Sequence, residues 1–209
     1  MEIHAPNEPI HTKKDFFIHL FTITIGLLIA LSLEGLVEYI HHRHLVAEAR
    51  ANIRQELDQN HTAAQGDLVL LQKNIDLQES NIQAIHKLQA HTKDFHGSVT
   101  NTMSFNAIED AAWRTARDTG ALSFMPYDEV QRYSDIYMLA GIVNNQAVTT
   151  GTADFNAHAA FQMGFDADSF PPEEYLRLLH ENAAVEIDLT TLKQFVKQLD
   201  DMTLAELKK

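Results

Sequence analysis

The sequence predicts an all-α protein in which an N-terminal transmembrane helix continues into a long stalk helix and a four- or five-helix bundle. Three features carry that expectation. Residues 16–33 read FFIHLFTITIGLLIALSL, 18 positions without Asp, Glu, Lys or Arg. No proline occurs between Pro9 and Pro126, and Gly66 is the one glycine between Gly35 and Gly97. Beyond the first run, apolar residues recur at alternating steps of four and three, the spacing of a core-facing helix. With 8 Gly and 5 Pro the chain is poor in the residues that turn-rich all-β folds need.

The uncharged run is the first element. At about 1.5 Å per residue it spans roughly 27 Å as a helix, and continuing through Ile40 covers a bilayer core of roughly 30 Å. Lys13, Lys14 and Asp15 mark one end, and His41-His42-Arg43-His44 marks the other. Two alternatives stand beside an anchor. One is a cleaved signal peptide, since Lys13-Lys14, the apolar run and Ala30-Leu31-Ser32 mimic its three regions. The other is a buried helix of a water-soluble protein. The anchor is the favoured reading. It divides the chain into a polar head (1–15), a transmembrane helix (16–40), a stalk (41–56) and a bundle domain (57–209). Basic residues flank both sides of the span, so the positive-inside rule does not fix orientation by itself. The short head and the absence of cysteine favour an inner-membrane protein whose C-terminal domain is extracytoplasmic.

The helix that leaves the span is expected to run to about Thr92. From Leu57, steps of four and three reach His61, Ala64, Leu68, Leu71, Ile75, Gln78, Ile82, Ile85 and Gln89, seven of ten apolar. A break is expected around Phe95-His96-Gly97-Ser98. A second helix follows, with Asn106 and Glu109 spaced as a capping pair and Thr119-Gly120 as its stop. Pro126 opens a third helix through Tyr127, Tyr133, Tyr137 and Val143. Gly151 and Gly164 bracket a short separate helix containing Phe155 and Phe161. Ser169-Phe170-Pro171-Pro172-Glu173-Glu174 is a helix start, with a cap, proline in the first turn and acids against the dipole. The last helix runs from there to about Leu199 or beyond.

Composition narrows function. Sixteen Lys and Arg against 29 Asp and Glu leave a formal charge of −13, which argues against a nucleic-acid partner. No cysteine is present, which removes thiol nucleophiles and Cys-ligated metals. Phosphate loops, zinc helices and nucleophile elbows are missing, so no enzyme and no cofactor is expected.

Three constellations remain as candidates. Thr22, Gly26, Ala30 and Glu34 recur every four residues in the span. The Gly-x-x-x-Ala element lets a neighbouring helix approach, and Glu34 would gain a partner there; a lipid-facing stripe with a snorkelling Glu34 is the alternative. Glu38, His41 and His44 form a Glu-x-x-His element with a further histidine, a weak metal-binding candidate set against a headgroup-facing histidine cluster. Trp113, Tyr133 and Tyr137 could line a pocket, although at helical spacing bundle core is the favoured reading. From Asp118 to Glu174 nine carboxylates face one basic residue, Arg132, and a solvated acidic face is expected.

The segment Ile-Thr-Ile-Gly-Leu-Leu-Ile-Ala-Leu-Ser-Leu-Glu-Gly at 23–35, with Lys-Asp-Phe-Phe-Ile-His-Leu before it and His-His-Arg-His after it, resembles a family of uncharacterised bacterial proteins. That resemblance covers the first fifty residues and implies a short head, one span and an α-helical extramembrane domain; it implies no activity. Two functions are expected from these features. The first is a structural or interaction protein that self-associates or serves as an accessory subunit of an envelope complex. The alternative is an extracytoplasmic sensory or small-molecule-binding module.

Overall fold

The structure is a computed structural model that describes residues 13–91, 99–100, 103–162 and 170–209. Among the described residues there are four α-helices, α1 (Lys13–Gln89), α2 (Ala111–Asp118), α3 (Tyr127–Gln162) and α4 (Pro172–Leu207), a short 3-10 turn (Ala121–Phe124) and no strand. The chain forms two compact units, Met1–Glu48 and Ala49–Lys209, and α1 contributes to both.

In the first unit every large apolar side chain from Phe16 to Ile40 is exposed, and the most apolar 18-residue window of α1 has a mean hydropathy of 2.3 with none of it buried. One helix is therefore long and apolar enough to cross a membrane.

The second unit begins at Ala49, not at Leu57. Residues 49–56, expected in the stalk, belong to the bundle because Ala49, Ile53 and Glu56 extend the buried three-four spacing back toward the N-terminus. The heptad positions Leu57, Ala64, Leu71, Ile75 and Ile85 are buried as their spacing requires. α4 supplies the most regular seam: Tyr175, Leu178, Asn182, Val185, Leu189, Leu192, Val196, Leu199 and Thr203 alternate by three and four, and all are buried. At one end Ile85 and Leu88 of α1 pack with Ala160 of α3 and with Tyr175 and Leu178 of α4.

Polar contacts fix the directions of the helices. Arg50 meets Glu129, Glu56 meets Tyr137 and Gln78 meets Asp154, so α1 and α3 run parallel. Arg54 meets Leu207, His61 meets Asp200 and Lys193 meets Gln72, so α4 runs antiparallel to α1. Two parallel helices need a return connection, and the segment before α2 supplies it.

Several local expectations are corrected. Asn106 and Glu109 do not cap a helix between them: α2 starts only at Ala111, and both residues are held by α1 instead. Gly120 does end that region, in the left-handed conformation at φ 78°. The separate helix at 155–161 is part of α3, which passes through Gly151 without a break. The cost of one interior glycine, about 1 kcal/mol, is small beside the packing that α3 gains. The break around Phe95–Ser98 and the cap at Ser169 lie outside the described residues.

Candidate functional site

The span residues Thr22, Gly26, Ala30 and Glu34 are all exposed on α1. A Cβ added at Gly26 would meet nothing within 4 Å, so the close-approach surface is open. The span's hydroxyls turn inward: Thr22 donates to the Ile18 carbonyl at 2.9 Å, Thr24 to Leu20 at 2.8 Å and Ser32 to Leu28 at 2.7 Å. Each thus satisfies its donor within the helix.

At the histidine cluster the structure pairs Glu38 with His42, at 3.9 Å, one turn on; His41 and His42 lie ring to ring with centroids 6.1 Å apart. Glu38, His41 and His44 are not brought together as a ligand set, and no group of three or more metal-ligating side chains occurs among the described residues.

Trp113, Tyr133 and Tyr137 do meet. Trp113 stacks on Tyr137 with centroids 5.3 Å apart and planes 9° from parallel, and it meets Tyr133 edge-on at 6.5 Å. Tyr133 and Tyr137 are buried, while Trp113 is only half-buried at the edge of the core. The rings fill one another's faces. Below them the Glu56 carboxylate accepts from the Tyr137 hydroxyl at 2.7 Å, from the Ala112 amide at 2.7 Å and from the Trp113 amide at 3.4 Å. These are the second and third amides of α2, the two that an N-cap side chain normally receives; Asp110, at the N-cap position, makes no such bond. Burial, together with the neighbouring Glu56 carboxylate, pushes the Tyr137 hydroxyl far above the ordinary tyrosine range.

The constellation that the sequence reading missed is a polar ladder on α1. Asn60, Asp67, Asn74 and Asn81 are spaced by seven residues and lie on one face. Asn81 receives the Thr100 amide at 3.1 Å and donates to its carbonyl at 2.9 Å. Asn60 treats Glu109 in the same way, at 2.9 and 2.8 Å. Asp67 accepts from both the amide and the side chain of Asn106, at 2.9 and 2.8 Å. Asn144 of α3 clamps Ile108 from the other side, at 2.9 and 2.8 Å. The partners 100, 106 and 109 fall six and three residues apart, against fourteen and seven on the helix. Seven helical residues rise about 10.5 Å and three extended residues cover about 10 Å, so the two periods match. The sequence holds the signal, four Asn or Asp at strict seven-residue spacing.

Next to the ladder sits a buried cluster. His158 lies 2.7 Å through Nδ1 from the Asp154 carbonyl, which can only accept, so Nδ1 carries a proton and Nε2 accepts from Asn81 at 3.2 Å. Gln78 donates to Asp154 at 2.7 Å. Burial holds the Asp154 carboxyl above its ordinary range, against the opposing bond from Gln78. The acidic stretch is thus only partly solvated: Asp154 is in the core, and Glu129 receives a two-pronged bond from Arg50, at 2.7 and 2.6 Å.

A groove of about 380 Å³ opens among α1, α3 and α4, lined by Arg50, Arg54, Glu129, Arg132, Tyr133 and Glu206 among others. Its cations are already engaged: Arg50 by Glu129, Arg132 by Glu206 at 2.9 Å, and Arg54 by the Leu207 carbonyl at 2.5 Å. It ties three helix ends together and offers no free guanidinium to a ligand. Compared with known proteins, this chain matches no family model, no curated protein and no solved structure.

Proposed function

We propose that the chain is a membrane-anchored helical interaction protein, held by residues 16–40 and acting by self-association or as an accessory subunit of a bacterial envelope complex. The observation that carries the reading is the exposed, uncharged run of α1. A core helix of a water-soluble protein would bury that face, whereas none of the window is buried here. The charged and histidine-rich groups around Arg43 suit a headgroup layer, and Arg43 lies 5.8 Å over the Tyr39 ring. The open surface at Gly26 and Ala30, with Glu34 one turn on, suits a neighbouring span. The C-terminal domain lies on the extracytoplasmic side of the inner membrane in this reading.

The test is extraction. Expressed in bacteria, the full chain should stay with the membrane pellet through an alkaline carbonate wash, and its N-terminus should be intact. A reporter fused after Lys209 should be active only outside the cytoplasm. Release by carbonate, or a mature N-terminus near Leu33, overturns the anchor; cytoplasmic reporter activity overturns the orientation.

A further inference from the structure

Among the described residues the two ends of the second unit carry charge of opposite sign. At the end that begins with Ala49, α1 presents Arg50 and Arg54, α3 opens with Asp128, Glu129 and Arg132, and α4 closes on Glu206, Lys208 and Lys209. The contacts of Arg50 with Glu129, Arg132 with Glu206 and Arg54 with the Leu207 carbonyl hold these groups together. Basic side chains outnumber acidic ones there by five to three, in a chain where 16 basic residues stand against 29 acidic. The next acid along α1, Glu56, is buried, and α2 with its N-cap adds Arg114 and Arg117 against Asp110 and Asp118. The opposite end, where Tyr175 packs on Ile85, presents Glu173, Glu174 and Glu181 against Lys87 and Arg177.

The basic end also carries exposed rings. Tyr127, at 82% exposure, is the most exposed large apolar side chain among the described residues, and Phe124 is exposed at 48%. Met125 between them is buried, so the turn is pinned to the core while the rings on either side stay exposed. We propose that this end of the bundle rests on the bilayer surface, with the rings at 124 and 127 among the headgroups and the basic excess against anionic phosphates, an inference that rests on the anchored reading above.

Chain length selects the occupant. Eight residues of α1 separate Ile40 from Ala49, about 12 Å of helix. The headgroup layer beyond the hydrocarbon takes up about 5–7 Å of that length. What is left is about half the diameter of one α-helix, too little for a folded partner to enter at that end. Lipid headgroups need no such room. Anionic lipid attracts the basic end and repels the rest of an acidic chain, so the same field holds the unit and orients it. Two charges supply the excess: Arg54 donates to a carbonyl rather than to a carboxylate, and Lys208 is exposed. Tyr127 adds an apolar ring with a polar tip, the combination enriched at membrane interfaces.

The absence of native cysteine allows one label per molecule. The full chain, with a bimane label at S123C, L176C or L28C, is reconstituted into vesicles of phosphatidylcholine and phosphatidylglycerol. Lipids with a nitroxide on the headgroup should quench S123C severalfold more than L176C, an exposed site at the opposite end. Adding Y127S and K208Q should bring S123C down to the L176C level without lowering the melting temperature, because both side chains are exposed. Quenching at S123C that survives both substitutions reports only the short tether and overturns the docking, as does equal quenching at S123C and L176C. The span label separates the two readings. With L28C quenched by a nitroxide on the acyl chain and S123C not preferentially quenched, the anchor stands and the docked end falls. Without quenching at L28C the anchored reading falls, and this inference with it.

Discussion

Glu56 shows how one side chain can stand in for a local signal. It accepts from the second and third amides of α2 and from the buried Tyr137 hydroxyl, so it caps one helix and pins another. Losing the cap removes about 0.5–2 kcal/mol, and the stranded hydroxyl adds about 1–3 kcal/mol. Glu56→Ala should therefore destabilise the second unit by about 2–4 kcal/mol in urea denaturation. Tyr137→Phe keeps both amide bonds and should lose only about 1–2 kcal/mol; equal losses in the two variants would mean that the amides contribute nothing. Trp113 is only half-buried, so Trp113→Ala should stay below the roughly 3–5 kcal/mol of a fully buried ring. Asp154 makes a prediction of a different kind. Burial raises its carboxyl in the folded state, so above the unfolded value near 3.9 the folded chain holds the proton longer, and stability falls as pH rises through that window. Asp154→Asn should flatten the decline in melting temperature as pH rises above about 4. Asp67, also raised by burial, preserves part of that slope; Glu174, lowered by Arg177, works in the opposite sense and loses stability as pH falls. A profile unchanged by Asp154→Asn would refute the role of this carboxyl.

At the scale of elements, the unusual part is the return from the end of α1 to the start of α3. The rungs at Asn81 and Asn60 stand 21 residues apart on α1, about 31 Å, and the chain covers that distance between Thr100 and Glu109. A helix would need some twenty residues for the same span, more than twice the nine positions that separate Thr100 from Glu109. Extended backbone without a neighbouring strand leaves its amides and carbonyls unpaired, and the carboxamides of Asn60, Asn81 and Asn144 supply both missing partners. Asn60→Asp tests that logic by a change of almost no volume. It removes the donor to the Glu109 carbonyl and sets a negative charge against that oxygen, so a loss of about 2–4 kcal/mol is expected by thermal or urea unfolding. A loss below about 0.5 kcal/mol would mean that water replaces the rung. The long helices were legible because a three-four apolar spacing is written in the helix itself, as in the α4 seam from Tyr175 to Thr203. The capping pair read at Asn106 and Glu109 was not, because the groups that decide those backbones, Asp67, Asn60 and Glu56, lie about forty to fifty-five residues away in sequence. Trp113 of α2 meets Tyr133 and Tyr137 of α3, but whether aromatics enclose a ligand or one another is decided by packing. The ladder went unread for a further reason: polar residues at heptad spacing look like a solvated face until something is known to lie against them.

At the scale of the whole molecule, the two units ask for different solvents. The second has a core made from its own residues, Ile53, Leu57 and Leu71 of α1 against Val143 of α3 and Leu178, Leu189 and Leu192 of α4. Buried polar side chains such as Asn60, Asn81 and His158 also find partners within it. A segment of that size with its own apolar core is expected to fold alone. The first unit instead leaves Phe16, Phe17, Phe21 and thirteen further large apolar side chains uncovered, far more than a surface helix in water commonly exposes. A fragment of residues 41–209, which retains Val46 and Ala49, should therefore be soluble without detergent, strongly helical by circular dichroism and cooperative in unfolding. The full chain should aggregate under the same conditions and recover in detergent micelles. Removing the anchor also removes the concentration that it imposes on contacts between copies, so the fragment should sediment as a monomer at micromolar concentration even if the full chain self-associates in membranes. A fragment that aggregates or melts without cooperativity would show that the bundle depends on the first 40 residues for its core, and the division into a lipid-facing and a water-facing unit would fail.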